Sequence, residues 1–177
     1  MTQVKLTHPL AQTPYKAHPT DAGFDVNIVR LVKRVNDVHY FGTGVCICPP
    51  PGVFYLLFPR SSISKLGWTL ANSVGVIDHE YRGEIIIALR QTSEQSDSLD
   101  FPYKIAQLVP FNTLPMTMNV TSEFSSETNR GTGGFGSTNC CMCGEGRTTI
   151  APDQKFYCDP CKVKRNSGLN DPDRGNY

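Results

Sequence analysis

The chain has 177 residues, 39% of them hydrophobic, with 17 basic and 16 acidic side chains for a formal net charge of +1. That length predicts one ordinary domain with a small appendage and excludes two full domains. The even charge argues against a broad nucleic-acid or membrane surface. Residues 1–10 lack an apolar leader core and no apolar run reaches 18 residues, so the expectation is a soluble, intracellular protein (cytoplasm or nucleus) with no membrane partner.

Helical periodicity is almost absent. Short runs rich in β-branched and aromatic residues instead recur between glycine and proline punctuation, at 24–32, 38–48, 53–58, 84–90, 105–109 and 116–120. This pattern predicts an all-β barrel or sandwich. Pro49-Pro50-Pro51-Gly52 marks a hard turn, and 61–66 is the best candidate for a single short helix. Cys46 and Cys48 lie on one face of a strand and read as thiols without chemistry. From Ser122 the chain turns polar and glycine-rich, which places the end of the packed domain near residue 121.

The polar groups worth weighing sit at strand ends and turns, where a β scaffold holds functional side chains. Asp21-Ala22-Gly23-Phe24-Asp25 sets two carboxylates around a glycine turn, by itself more often an Asx-type turn than a catalytic feature. Arg60-Ser61-Ser62 offers a guanidinium and two hydroxyls ahead of the short helix, an anion site or simple capping. Between Gly75 and Gly83, Asp78, His79, Tyr81 and Arg82 gather at the tip of an apolar run. Gln107 is a lone amide within an apolar strand and needs partners or a ligand there. The segment Arg130-Gly131-Thr132-Gly133-Gly134-Phe135-Gly136-Ser137-Thr138 suits a nucleotide clamp. Its bare backbone can approach phosphate, its arginine can fork two oxygens, and its ring can stack on a base; a flexible linker is the plainer reading of such composition.

Together, in this order, these segments resemble the five motifs of the trimeric dUTP pyrophosphatases (dUTPases), from about Lys16 to Thr138. The resemblance implies a jelly-roll-like β-barrel assembled as a homotrimer. In that family each site draws its first, second and fourth motifs from one subunit, the third from a neighbour and the arm from the remaining one. It implies hydrolysis of dUTP to dUMP and pyrophosphate, which keeps uracil out of DNA and supplies dUMP for dTMP synthesis. Carried over by position, Asp78 matches the acid that activates water and Tyr81 the ring under the deoxyribose. Asn72, Val76 and Ile77 belong to the hairpin that reads uracil. Arg60, Ser61, Ser62 and Gln107 match phosphate-binding groups, and Asp25 the supporting acid of the first motif. Arg130 matches the γ-phosphate ligand, Phe135 the stacking ring, and Gly136, Ser137 and Thr138 the closing arm. Mg²⁺ in this family rides on phosphate oxygens and waters, so no protein ligand is assigned to it. Ser62 stands where glycine is frequent, Lys104 where arginine is, and Glu80 where aspartate is. Phe101-Pro102-Tyr103 replaces the usual Gly-Asp turn before the fourth motif.

The resemblance leaves residues 139–177 unexplained. Cys140-x-x-Cys143 and Cys158-x-x-Cys161, 14 residues apart, predict a Cys₄ structural Zn²⁺ module over 139–161, with Cys141 an alternative to Cys140. Residues 162–177 read as a basic, polar, disordered tail, with nucleic-acid binding weakly supported there and unsupported for the core. Two rival functions remain open at this stage: a dUTP-gated protein docking a partner through the cysteine module, and a dCTP deaminase-like enzyme on the same barrel.

Overall fold

A computed structural model describes residues 1–93, 96, 98–132 and two short strands at 149–150 and 156–157. The chain divides into two compact units, Met1–Thr117 and Met118–Tyr177.

The first unit is all-β. Its strands are β1 (Gln3–Leu6), β2 (Phe24–Ile28), β3 (Arg30–Val35), β4 (Val38–Gly42), β5 (Val45–Cys48), β6 (Val53–Pro59), β7 (Trp68–Leu70), β8 (Gly75–Ile77), β9 (Ile86–Gln91) and β10 (Tyr103–Asn112). One antiparallel sheet runs in the order β2-β10-β6-β8 and a second in the order β3-β4-β9-β7, while β1 pairs with β5. Every strand pairing is antiparallel, and one core draws on both sheets. Ile28, Ile85, Ile87, Leu89 and Ile105 at its centre are fully buried. Burying each such side chain contributes roughly 1.5–3 kcal/mol, which is why the sheets pack face to face as a jelly-roll-like fold.

Two long runs of the sequence are each broken in two. The run 24–32 divides at Val29, and 38–48 at Thr43-Gly44, where Gly44 takes φ +66° and a Cβ would collide with His8 and Ala11. The expected helix is a single 3₁₀ turn, Ser61–Lys65, ended by Gly67 at φ +67°. The expected strand at 116–120 is absent. Its alternation is real, but Leu114, Met116, Met118 and Val120 stand exposed and no described strand pairs with them. Strands β1 and β7 are too short or too exposed to show a periodic signal.

One irregularity positions the site. The β10–β2 register slips between Lys104 and Ala106, so Ile105 and Ala106 both bury and the alternation changes phase. Gln107 consequently pairs with Asp25 on β2 and Phe58 on β6, on the face away from the core.

In the second unit the described strands are β11 (Thr149–Ile150) and β12 (Phe156–Tyr157), an antiparallel pair. No helix among the described residues is long and apolar enough to cross a membrane.

Candidate active site

The site residues of the first unit fall into two clefts at opposite ends of β6. At the C-terminal end, Asp25, Gly23, Arg60, Ser61 and Gln107 line a cleft of about 270 Å³. Strand β2 carries Asp25, whose mostly buried carboxylate pairs closely with Arg60 Nη1 and lies 3.7 Å from Lys104 Nζ. Arg60 is fixed by its own N–H donating to the Ile105 carbonyl at 3.0 Å. Gln107 Nε2 donates to the Pro59 carbonyl at 3.3 Å, which turns its amide toward the arginine. Gly23 makes that packing possible, because a Cβ there would strike the Gln107 side chain. Lys104 donates to the Tyr15 hydroxyl at 2.8 Å. That bond, with Asp25 behind it, holds the ammonium above the usual lysine range against the opposing effects of burial and Arg60. Ser62 lines a neighbouring cleft with Arg60, Tyr15 and Lys104. Arg60, Lys104, Ser61, Ser62 and Gln107 offer donors beside the Asp21 and Asp25 carboxylates, and such donors suit phosphate oxygens.

At the other end of β6 a cleft of about 750 Å³ is lined by Phe54, Val76, Asp78, His79, Tyr81 and Thr113 among others. Strand β8 pairs with β6 through Tyr55–Ile77 and Leu56–Val76, and one further step sets Asp78 opposite Phe54. Asp78 is exposed at the start of a turn closed by the Tyr81 N–H donating to its carbonyl at 3.1 Å. Arg82 staples the turn by donating to the carbonyls of His79 (2.6 Å) and Tyr81 (3.0 Å). The Tyr81 hydroxyl donates to the Glu84 carbonyl at 2.8 Å, leaving the ring partly open to solvent. Asn72 precedes Ser73, which takes φ +61° in the turn from β7 to β8.

From Phe54 to Arg60 is six strand steps, or about 20 Å at about 3.3 Å per residue. The two clefts share no lining residue among those described. The structure thus brings Asp25, Arg60, Ser61 and Gln107 together, and separately Val76, Asp78 and Tyr81. Ile77 is buried beneath the second group. Arg130 belongs to the second unit, where the Gly131 N–H donates to the Thr128 carbonyl at 3.0 Å. Phe135, Gly136, Ser137, Thr138, Cys140, Cys143, Cys158 and Cys161 lie outside the described residues.

Among the described residues no group of three or more His, Cys, Asp or Glu is placed to hold a metal, and the Asp25 carboxylate is engaged by two cations. These residues fit an ion that arrives on phosphate oxygens better than one held in a protein cage.

Sequence reasoning did not single out Arg30 and Glu84. They are 54 positions apart yet form a forked ion pair behind the Asp78 turn. A glutamate one residue after Gly83 was the one local signal.

A jelly-roll-like fold with a donor-rich cleft and an acid-bearing turn defines an all-β protein whose polar residues suit an oxygen-rich anion. Comparison with known proteins narrows the class. A family model described as dUTPase matches residues 10–139. The chain is 36% identical over 138 residues to the deoxyuridine 5′-triphosphate nucleotidohydrolase of Clostridium acetobutylicum, covering 77% of this chain and 94% of that protein. It is 33% identical over 139 residues to the enzyme of that name from Leptospira interrogans, covering 76% and 96%. Among solved structures it is similar to the Staphylococcus bacteriophage 80alpha dUTPase with dUPNHPP, with 26% identity, a TM-score of 0.68, and 78% and 98% of the two chains covered. The chain belongs to the dUTPase family.

Proposed function

We infer that this protein hydrolyses dUTP to dUMP and pyrophosphate. The observation that carries the reading is the pair of clefts, one rich in hydrogen-bond donors and one acid-bearing, built from segments in the family's order within the matched span. Arg60, Ser61, Ser62 and Gln107 hold the phosphate oxygens, and Asp25 orients Arg60 through their ion pair. Asp78 takes the proton of the attacking water, so no covalent nucleophile is needed. Tyr81 lies under the deoxyribose and excludes a 2′-hydroxyl, while the turn from Asn72 through Val76 and Ile77 reads the uracil edge. Mg²⁺, bound through phosphate oxygens and waters, would neutralise charge on the triphosphate. Purified protein incubated with Mg²⁺ and dUTP, dCTP, dTTP or UTP in turn should yield dUMP and pyrophosphate from dUTP alone. Release of single phosphate, deamination of dCTP, or equal turnover of dTTP overturns the reading.

We propose further that the working enzyme is a homotrimer with shared sites. A general base must lie within hydrogen-bond reach of its water, yet Asp78 and Arg60 stand at opposite ends of β6 in one chain. The exposed alternation of Leu114, Met116, Met118 and Val120 supports packing against another copy. The arm at 122–138, with Arg130 and Phe135, would close over the nucleotide. Mixing an Asp78→Asn protein with one truncated before Arg130 should restore part of the activity; a mixture as dead as its components, or a monomer in sedimentation, rejects sharing.

For residues 139–161 we propose a Cys₄ zinc module. The β11–β12 pair lies in the chain between Cys143 and Cys158, a hairpin suited to returning the second Cys pair toward the first. Protein purified under reducing conditions should contain one zinc per chain, and its absence by elemental analysis refutes the module.

A further inference from the structure

The turn bearing Asp78 and Tyr81 is held from behind by Glu84. Its Oε1 accepts from Arg30 Nη1 at 2.7 Å and from the Gly44 N–H at 2.6 Å, and its Oε2 accepts from Arg30 Nη2 at 2.5 Å. Guanidinium and carboxylate therefore meet as matched forks, with a third donor from the β4–β5 corner. The arginine fork holds the Glu84 carboxyl below the usual carboxylate range, burial opposing and the Gly44 N–H assisting. The strand backbone presses on the pair from one side, since a Cβ on Gly42 would strike both Arg30 and Glu84.

Glu84 is locked on both sides. Beyond it, Thr43 Oγ1 donates to the Ile85 carbonyl at 2.8 Å and the Ile85 N–H donates to the Val45 carbonyl at 2.9 Å. Before it, the Glu84 carbonyl receives the Tyr81 hydroxyl, and Gly83 has no room for a Cβ beside the phenol ring. The chain of contacts runs from Arg30 through the Glu84 carboxylate and backbone to the Tyr81 ring.

We propose that Glu84, clamped by Arg30 and Gly44, is a positioning residue that sets the Tyr81 ring and with it the enzyme's discrimination between deoxyribose and ribose triphosphates. The proposal rests on Tyr81 lying under the sugar in a dUTP hydrolase. A residue that merely stabilised the fold would lower the melting temperature and leave selectivity alone.

The test compares kcat/KM for dUTP and for UTP in the full chain and in Glu84→Gln, Arg30→Lys and Tyr81→Phe. Glutamine turns an amide donor toward a donor, and lysine keeps the charge but loses the fork. Glu84→Gln should lower the dUTP-to-UTP ratio about five- to tenfold, as expected for misplacing one hydrogen-bonded contact. Tyr81→Phe should act similarly, and the Glu84→Gln, Tyr81→Phe double mutant should add little, because both changes act through one ring. Arg30→Lys carries the same test should Glu84→Gln fail to fold. A folded variant with the wild-type ratio, or a fully additive double mutant, overturns the positioning role. Wild-type protein that leaves dUTP unhydrolysed would instead overturn the reading beneath it.

Discussion

The two ends of β6 hold their functional groups by different means. At the Arg60 end, charged side chains hold one another: Asp25 pairs with Arg60 and Lys104, and Lys104 with Tyr15. At the Asp78 end, the backbone holds the side chains: carbonyls of Asp78, His79, Tyr81 and Glu84 all accept bonds within the turn, and the Asp78 carboxylate is left exposed. The first arrangement suits a cleft that must receive a polyanion and exchange partners with it. The second suits a base that must stay free to accept a proton while its position is fixed.

The largest expected effect tests the second arrangement. Asp78→Asn should keep nucleotide binding while kcat falls about 10²- to 10⁴-fold, since the amide occupies the same place without basicity. Single-turnover kinetics beside equilibrium binding separates the two, and wild-type turnover would assign the base elsewhere. Arg60→Met tests the first arrangement. It removes the proposed phosphate ligand and leaves Asp25 with Lys104 alone, so KM for dUTP should rise about ten- to hundredfold, the range for a hydrogen bond to a charged group. An unchanged KM would mean that Arg60 serves the fold through Asp25 and does not touch substrate.

Gly23→Ala should be milder. The methyl group pushes Gln107 off the Pro59 carbonyl and costs about 1–3 kcal/mol by overpacking, read as a lower melting temperature with a raised KM. The smallest effect lies away from both clefts. His39 is buried with both ring nitrogens unpartnered, packed edge-on against Trp68 at 5.0 Å. Burial first, and then the charge of Arg34, lowers its pKa below the usual 6.5, with Asp37 opposing. The unfolded chain therefore takes up the proton more readily, so this contribution is full above about pH 6.5 and is lost as pH falls below it. Melting curves of wild type and His39→Leu should diverge only in that window; parallel curves would show that His39 does not titrate there.

At the Arg60 end the cleft gathers Asp25, Arg60, Ser61 and Gln107, polar residues that the sequence set apart at strand ends and turns, although each segment alone had a plainer reading and only their order joined them through the family resemblance. Asp78 and Tyr81 were set apart in the same way, at one turn. What could not be read was support from a distance: Arg30 meets Glu84 across 54 positions, and Tyr15 meets Lys104 across 89. Nor does local pattern show whether an apolar alternation finds a partner edge, which is how 116–120 came to read as a strand. The breaks at Val29 and Thr43-Gly44 were hidden because apolar residues continue through both corners.

The slip in β10 has a consequence for how this region of the gene can vary. The Gln107 amide faces the cleft because one additional residue resets the count between the core and the solvent side. A substitution at Val109 leaves that count intact. Loss of a single codon at 105 or 106 would remove the additional residue and still leave Gln107 opposite Asp25, whereas one codon gained between Ala106 and Gln107 would turn the amide toward the core, so for this site the harmful lesion is an insertion that changes parity.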